Sequence, residues 1–222
     1  MTDRPPSDPV LASLLGAHAH LSESKGKAIR YHPEVAGFTT LQGERDAEAW
    51  RDLAALVGPG QQVSISDPPP DWEIEWVGEG VQLVAVSLDT TPDPQARVLG
   101  PADVPEMLDL VARTEPGPFR NRTIEMGTYL GIHDNGTLIA MAGERVRPPG
   151  WTEISAVCTD PNHRGKGLAT RLVRAVAHGI VTRGDRPFLH ATATNTNAIR
   201  LYESLGFELV GHRKFTIART PI

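Results

Sequence analysis

The sequence lacks the features that are typical of disulfide-bonded, membrane-spanning and secreted proteins. Its 222 residues include a single cysteine, Cys158, which excludes an intrachain disulfide and a metal site built from several cysteines. It contains no run of about 18 apolar residues, so we expect no membrane crossing. The first residues also lack the basic and apolar segments of a signal peptide. The expected location is therefore the reducing cytoplasm.

A strong basic excess is missing as well. The 22 lysines and arginines are outnumbered by 27 aspartates and glutamates. The acidic excess lies in residues 1–95, whose net charge is −9, whereas residues 96–222 carry +4. Domains that bind nucleic acid usually have a dense basic stripe, so we do not expect nucleic acid as a partner. The positive half is the better candidate for an anionic ligand.

Turn signals divide the sequence into two parts. In the first part we predict a helix over 46–57 and strands over 62–66 and 81–88, separated by runs rich in proline and glycine. This pattern predicts a small α/β domain in residues 1–93, and we find no cluster of reactive residues in it. Residues 94–222 are predicted to form the second domain.

The second part has a regular pattern of strands and helices. Asp134, Asn135 and Gly136 predict a hairpin turn, and apolar residues at helical spacing predict three helices. Strands are predicted over 97–99, 129–133, 137–146, 151–159, 188–193, 207–210 and 215–218, and helices over 102–113, 167–183 and 196–205.

The loop after the strand at 151–159 has the features of an anion site. Gly165 and Gly167 stand directly before a helix, and Arg164 and Lys166 add positive charge, with Arg171 as a further candidate cation. The first amides of a helix have no partner within it, and the helix dipole favours a negative group there. The loop matches neither a P-loop nor a dinucleotide fingerprint. A diphosphate suits it, and a plain capped helix start is the alternative.

Two segments resemble signatures of the GNAT N-acetyltransferase superfamily. Residues 164–169, Arg-Gly-Lys-Gly-Leu-Ala, are similar to its pyrophosphate loop, and residues 195–207 resemble its second motif. The resemblance covers residues 96–218 and does not reach the N-terminal third. It implies an α+β fold with a mixed, largely antiparallel twisted sheet flanked by helices, to which a smaller N-terminal α/β domain is added. It also implies acetyl-coenzyme A as acyl donor and no metal.

The resemblance places the cofactor in a gap between two parallel strands, here 151–159 and 188–193. Pantetheine would meet the first strand and the pyrophosphate would meet the loop amides. A backbone amide near Val157 would receive the developing oxyanion. The cofactor-binding residues implied in this way are Val157, Cys158, Thr159, Arg164, Gly165, Lys166, Gly167, Leu168, Ala169, Thr170 and Asn195.

Acetyl transfer to an amine also calls for a base and an acid. An alkylamine has a pKa near about 10 and is mostly charged at neutral pH, so a base is useful. Glu153 and His190 stand where members of the family carry a base, and both remain candidates. Tyr202 is the candidate acid for the departing thiolate. The alternatives are that Glu153 is an exposed strand residue, that His190 is a core histidine and that Tyr202 is a core tyrosine. Cys158 is expected to be inert.

We therefore expect an enzyme that acetylates a primary amine or a peptide N-terminus by direct attack. A non-catalytic acyl-coenzyme A sensor is the alternative, and an interaction protein with an acidic N-terminal unit is a third hypothesis. Acceptor choice should depend on residues 114–127, where Arg120 and Arg122 favour a carboxylate and Glu125 favours a polyamine. The N-terminal unit is expected to cover the acceptor side. None of these patterns defines an oligomeric state.

Overall fold

The computed structural model of the protein describes residues 4–222; residues 1–3, which open the stretch searched for a signal peptide, lie outside it. No helix in the described range is long and apolar enough to cross a bilayer. The first part contains α1 (Pro9–Leu14), β1 (Ser22–Lys25), β2 (Ala28–Tyr31), β3 (Thr39–Leu41), α2 (Ala47–Val57), β4 (Gln62–Ser64) and β5 (Glu73–Ala85). The second contains β6 (Arg97–Val98), α3 (Val104–Thr114), β7 (Tyr129–Asp134), β8 (Thr137–Glu144), β9 (Trp151–Thr159), α4 (Leu168–Thr182), β10 (Arg186–Thr192), α5 (Thr196–Ser204) and β11 (Phe207–Arg219).

Local signals set the ends of several elements. Asp46 caps α2 by accepting a hydrogen bond from the Ala49 amide at 2.9 Å, and Gly58, with a φ of 97°, ends that helix. Asn135 and Gly136 both have positive φ and form the turn between β7 and β8. These ends agree with the sequence predictions.

An eight-stranded sheet forms the centre of the molecule. Its strand order is β4-β11-β5-β10-β9-β8-β7-β6. Every neighbouring pair for which a register is defined is antiparallel except β9 and β10, which are parallel. The prediction of an α+β fold with a mixed, largely antiparallel sheet is confirmed.

Strand β5 belongs to the first part of the chain and lies inside this sheet. It is hydrogen-bonded to β11 on one side and to β10 on the other, where residues 80–84 pair with residues 188–192. The sheet therefore contains strands from both sides of the boundary predicted between residues 93 and 94.

Strand β11 corrects the prediction of two separate strands over 207–210 and 215–218. A single strand runs along β5, with a register shift between Leu209 and Gly211. The extra residue there, Val210, forms a bulge, which the sequence pattern shows only as an interruption.

The two faces of the sheet are covered by different elements. Helices α4 and α5 pack on the first face, in a core with Leu83, Ile154 and Leu189. Helix α3 packs on the second face, in a core with Met141 and Cys158. Ile154 and Cys158 lie four residues apart on β9 but in cores on opposite faces, because an extra residue between them shifts the register against β8.

Residues 9–41, which we call the N-terminal cover, lie over the rest of the second face. They include α1 and the three-stranded sheet β1-β2-β3. Tyr31 and Val35 of the cover share one apolar cluster with Trp151 and Phe188 of the large sheet. The cover therefore packs beside the strand positions that carry the two candidate bases.

Candidate active site

Strands β9 and β10 part at the centre of the sheet. They pair as far as Ile154 and Leu189, and no further pair forms between them in residues 4–222, although β9 continues to Thr159 and β10 to Thr192. The strands open at their carboxyl ends, which lead into the loop before α4 and into α5. The gap lies between the two strands to which the resemblance assigns the cofactor.

A bulge in β9 lies beside this gap. The register between β8 and β9 shifts after Met141, so that Ala156 and Val157 together stand opposite one residue of β8. Ala156 has a φ of 53°, a conformation that alanine rarely adopts. A bulge takes backbone groups out of the ladder and re-aims them. No residue type marks this bulge in the sequence, since the position is not a glycine.

The loop after β9 is a tight turn. Asp160 accepts a hydrogen bond from the Asn162 amide at 2.9 Å. Gly165 and Gly167 have φ values of 76° and 73°, which favour glycine. A Cβ at either glycine would meet nothing within 4 Å, so the space above the loop is open.

The start of α4 offers free backbone amides. Its first helical hydrogen bond runs from the Arg171 amide to the Gly167 carbonyl at 3.1 Å, so the amides of residues 168–170 have no partner within the helix. Arg164 and Lys166 are exposed beside them. Leu168 differs from its neighbours because its side chain is buried in the core of the first face, so only its backbone amide is suited to contact an anion.

Arg171 does not add to this basic set. Its guanidinium donates to both carboxylate oxygens of Asp93, at 2.6 and 2.8 Å, and to Gln95 at 2.8 Å. This pairing holds the pKa of Asp93 below its usual range. Arg171 therefore fastens α4 to the connection before β6.

Glu153 and His190 meet on the second face. The Glu153 carboxylate accepts hydrogen bonds from Arg145 at 2.8 and 2.6 Å and from His190 Nδ1 at 2.6 Å. Burial raises the pKa of Glu153, but the Arg145 guanidinium and the imidazole outweigh it and hold that pKa well below its usual range. A carboxylate that is 1% exposed and bonded at both oxygens is suited to orienting His190.

Gln82 fixes the other side of the imidazole. Its Nε2 lies 3.0 Å from His190 Nε2, and its Oε1 accepts a hydrogen bond from Arg213 at 2.7 Å. Because the oxygen is engaged by Arg213, the amide N–H₂ faces the imidazole. The arrangement fits a neutral imidazole whose Nδ1–H donates to Glu153 and whose Nε2 accepts from Gln82.

The sequence alone does not identify three members of this network. Arg145 follows β8, Gln82 lies on β5 and Arg213 lies on β11. Each is distant from His190 along the chain, so no local motif connects them. A sheet order known in advance would have placed Gln82 directly opposite His190, since the two are register partners.

Tyr202 lies in the core of the first face. Its ring packs edge-on against Phe207, with centroids 6.0 Å apart, and 8% of the residue is exposed. Burial raises the pKa of Tyr202 to about 12, and Cys158 adds to the shift. The hydroxyl has no hydrogen-bond partner in residues 4–222. The phenol is therefore protonated at neutral pH.

Three further predicted contacts have distinct environments. Burial raises the pKa of the Cys158 thiol to about 11, which suits an inert side chain. Asn195 caps α5 by accepting a hydrogen bond from the Ala198 amide at 3.1 Å. Thr159 Oγ1 is buried without a partner among the described residues. That orphan hydroxyl at the end of β9 fits the polar pantetheine arm.

The segment over 114–127 is bonded within the protein. Arg120 donates to the Pro33 carbonyl of the N-terminal cover. Arg122 donates to both carboxylate oxygens of Glu125, at 2.7 and 2.8 Å. The two cations and the carboxylate proposed for acceptor choice are therefore engaged with other protein groups.

Comparisons with known proteins find acetyltransferases among the relatives of this chain. The family model described as FR47-like protein matches residues 129–216. N-alpha-acetyltransferase RimI of Mycobacterium tuberculosis is 35% identical over 89 residues, which are 39% of this chain and 55% of that protein. Mycothiol acetyltransferase of Thermobispora bispora is 40% identical over 82 residues, 36% of this chain and 27% of that protein. The match thus spans about half or less of these curated relatives.

Two solved structures are similar over nearly the whole chain. A GCN5-related N-acetyltransferase from Kribbella flavida, 14% identical, has a TM-score of 0.65 over 99% of this chain and 97% of its own and shows the same fold. An acetyltransferase from the GNAT family of Novosphingobium aromaticivorans is 37% identical, with a TM-score of 0.89 over 99% of this chain and 100% of its own. The chain belongs to the GNAT family of acetyltransferases.

Proposed function

We propose that the protein transfers the acetyl group of acetyl-coenzyme A to a primary amine, in the cytoplasm. The parting of β9 and β10 after Ile154, between the loop before α4 and the hydrogen-bonded His190, supports this proposal most directly. The acceptor is proposed to be a small amine or a peptide N-terminus.

The loop and the end of β9 would hold the acyl donor. Bound acetyl-coenzyme A supplies a thioester, whose carbonyl carbon is the site of attack. The free amides of residues 168–170 and the side chains of Arg164 and Lys166 suit its diphosphate. Thr159 Oγ1 suits the amides of its pantetheine arm. A backbone amide at the Ala156 bulge suits the oxyanion.

His190 is the proposed base, and Glu153 is a positioning residue. As the amine nitrogen bonds to the carbonyl carbon, its proton passes to His190 Nε2, directly or through water. The Gln82 amide has to leave this nitrogen for the transfer to occur. The Glu153 carboxylate then stabilises the charged imidazole through Nδ1–H.

Tyr202 is the proposed acid. The carbon–sulfur bond breaks as the tetrahedral intermediate collapses, and the sulfur takes the phenol proton. Protons and charges balance when the imidazolium and the phenolate return to neutrality through solvent. The buried, protonated state of Tyr202 supports this role.

Calorimetric titration tests the donor. We expect acetyl-coenzyme A to bind the wild-type protein and adenosine triphosphate to give no heat of binding. A matched pair of variants, Lys166→Ala in the loop and Lys214→Ala on β11, should show weakened binding only for the first. A folded protein that does not bind acetyl-coenzyme A would contradict the proposal.

A further inference from the structure

Two aromatic rings lie across glycine backbone on the second face of β5. A Cβ at Gly80 would collide with the ring of Phe215, and a Cβ at Gly78 would collide with the ring of Trp76. Neither glycine has a left-handed φ, so room for the rings accounts for both glycines better than backbone conformation does. We call Trp76 and Phe215 the aromatic shelf.

The shelf begins at the proposed base. The ring of Phe215 lies edge-on to His190, with centroids 6.0 Å apart and an angle of 85° between the planes. Trp76 lies farther along the same face, since it alternates with Gly78, Gly80 and Gln82 on β5. Trp76 is 47% exposed. The shelf therefore leads from His190 outward to solvent.

A guanidinium stands beside the shelf. Arg213 is the register partner of Gly80, and β5 separates its strand, β11, from His190 on β10. Its Nη2 donates to Gln82, while its Nε is buried and has no hydrogen-bond partner among the described residues. A buried donor without a partner is costly, and a carboxylate would satisfy it.

The free edge of β5 keeps this surface open. Pairing between β5 and β10 ends at Gly80 and Thr192, and residues 73–78 have no strand partner on that edge within the described part of the chain. The second face of β5 therefore brings two aromatic rings, a guanidinium and the proposed base near one another.

We propose that the acceptor is a primary amine that carries an aromatic ring and a carboxylate. The ring stacks on Trp76 and Phe215, the carboxylate meets Arg213, and the amine reaches His190. This inference rests on the proposed function for the position of the reacting nitrogen. It also replaces Arg120 and Arg122 as the cations that select a carboxylate.

A four-amine panel tests the proposal by thiol release from acetyl-coenzyme A. L-Phenylalanine has both groups, phenethylamine lacks the carboxylate, L-alanine lacks the ring and spermidine lacks both. We expect the highest kcat/KM for L-phenylalanine. Trp76→Ala should lower that value about 2- to 10-fold, as expected for the loss of one aromatic contact, and leave L-alanine unchanged. Val77→Ala, on the opposite face of the same strand, should change neither.

The role of Arg213 is tested by the ratio of the rates with L-phenylalanine and phenethylamine, because replacing Arg213 also disturbs Gln82. Arg213→Lys should lower the preference for L-phenylalanine over phenethylamine, whereas damage to the base would lower both rates equally. Equal rates for all four amines, with no effect of Trp76→Ala, would overturn the inference and leave acetyl transfer standing.

Direct binding separates the two proposals. Saturation-transfer NMR of L-phenylalanine, with coenzyme A present, detects binding to the aromatic shelf without requiring acetyl transfer. A signal that Trp76→Ala removes, in a protein that releases no thiol with any amine, would support the shelf and contradict the proposed reaction. Absence of this signal in a protein that acetylates spermidine would refute the shelf.

Discussion

At the scale of single residues, both ring nitrogens of His190 are hydrogen-bonded, and the two partners have different roles. Glu153 sets the Nδ1 side and, through its contact with Arg145, keeps a full negative charge next to the imidazole. Gln82 sets the Nε2 side, where the amine proton must arrive. The imidazole therefore has a defined tautomer before an acceptor binds.

Glu153→Gln should lower kcat about 10-fold and leave the Kd of acetyl-coenzyme A unchanged. The carboxylate stabilises the charged imidazole that forms during the transfer, and the neutral amide of glutamine does not. Steady-state kinetics measure kcat, and calorimetry measures the Kd of acetyl-coenzyme A. An unchanged kcat with a lower melting temperature would mean that Glu153 only supports the fold.

Tyr202→Phe should lower kcat on the order of 10-fold or more, because the thiolate loses its proton donor, without weakening the donor's binding. Since burial raises the pKa of Tyr202 to about 12, the phenol keeps its proton and should add no alkaline limb below about pH 10. Tyr129→Phe removes a tyrosine hydroxyl that is buried without a partner among the described residues and is the matched control. Equal rates for wild type and Tyr202→Phe would refute the acid role.

The sequence could identify His190, Glu153 and Tyr202 as candidates, because each lies in or near a recognisable local pattern. It could not decide between the two bases. That choice depends on Arg145 and Gln82, which come from other parts of the chain. No local sequence pattern around Glu153 or His190 indicates these contacts.

At the scale of elements, the loop before α4 combines two glycines in the left-handed conformation with backbone amides that have no partner within the helix. The ends predicted for β9 agree with the structure, and α4 differs by one residue at each end, because glycine, proline and apolar spacing act locally. The Ala156 bulge and the early start of β5 were missed, because pairing with neighbouring strands determines both.

Gly167→Ala should weaken the binding of acetyl-coenzyme A about 10-fold. Alanine at a φ of 73° costs roughly 1–2 kcal/mol, and its methyl group would stand beside the amides meant for the diphosphate. Gly150→Ala is the matched control, since Gly150 has a φ of 75°, open space around it and a position outside the loop. Calorimetry and thermal melting should show equal loss of stability but a loss of affinity only for Gly167→Ala. Equal affinities for both variants would contradict the loop assignment.

At the scale of the whole molecule, residues 1–93 contribute two strands, β4 and β5, to the sheet that carries the candidate site. Strand β5 supplies Gln82 to the base, and the N-terminal cover packs over the same face. The sequence resemblance began near residue 96 and could not show this, because strand order is a property of the folded chain.

Deleting residues 1–93 should therefore prevent folding rather than change acceptor choice. The deletion removes a strand that lies between β10 and β11 and exposes the apolar residues beneath it. Circular dichroism and thermal melting of the shortened chain measure this outcome. A cooperative melt with retained binding of acetyl-coenzyme A would show that residues 94–222 form an independent domain.

The most direct test of the account is transfer of a labelled acetyl group. Acetyl-coenzyme A labelled in the acetyl carbon is incubated with L-phenylalanine and the protein, and the amine is analysed by mass spectrometry. We expect the label on the amine nitrogen, with a rate on the order of 100-fold lower for His190→Ala and unchanged for His212→Ala, whose histidine is exposed on β11. Label that stays on coenzyme A or appears only as acetate, with all four amines of the panel, would contradict amine acetylation at this site.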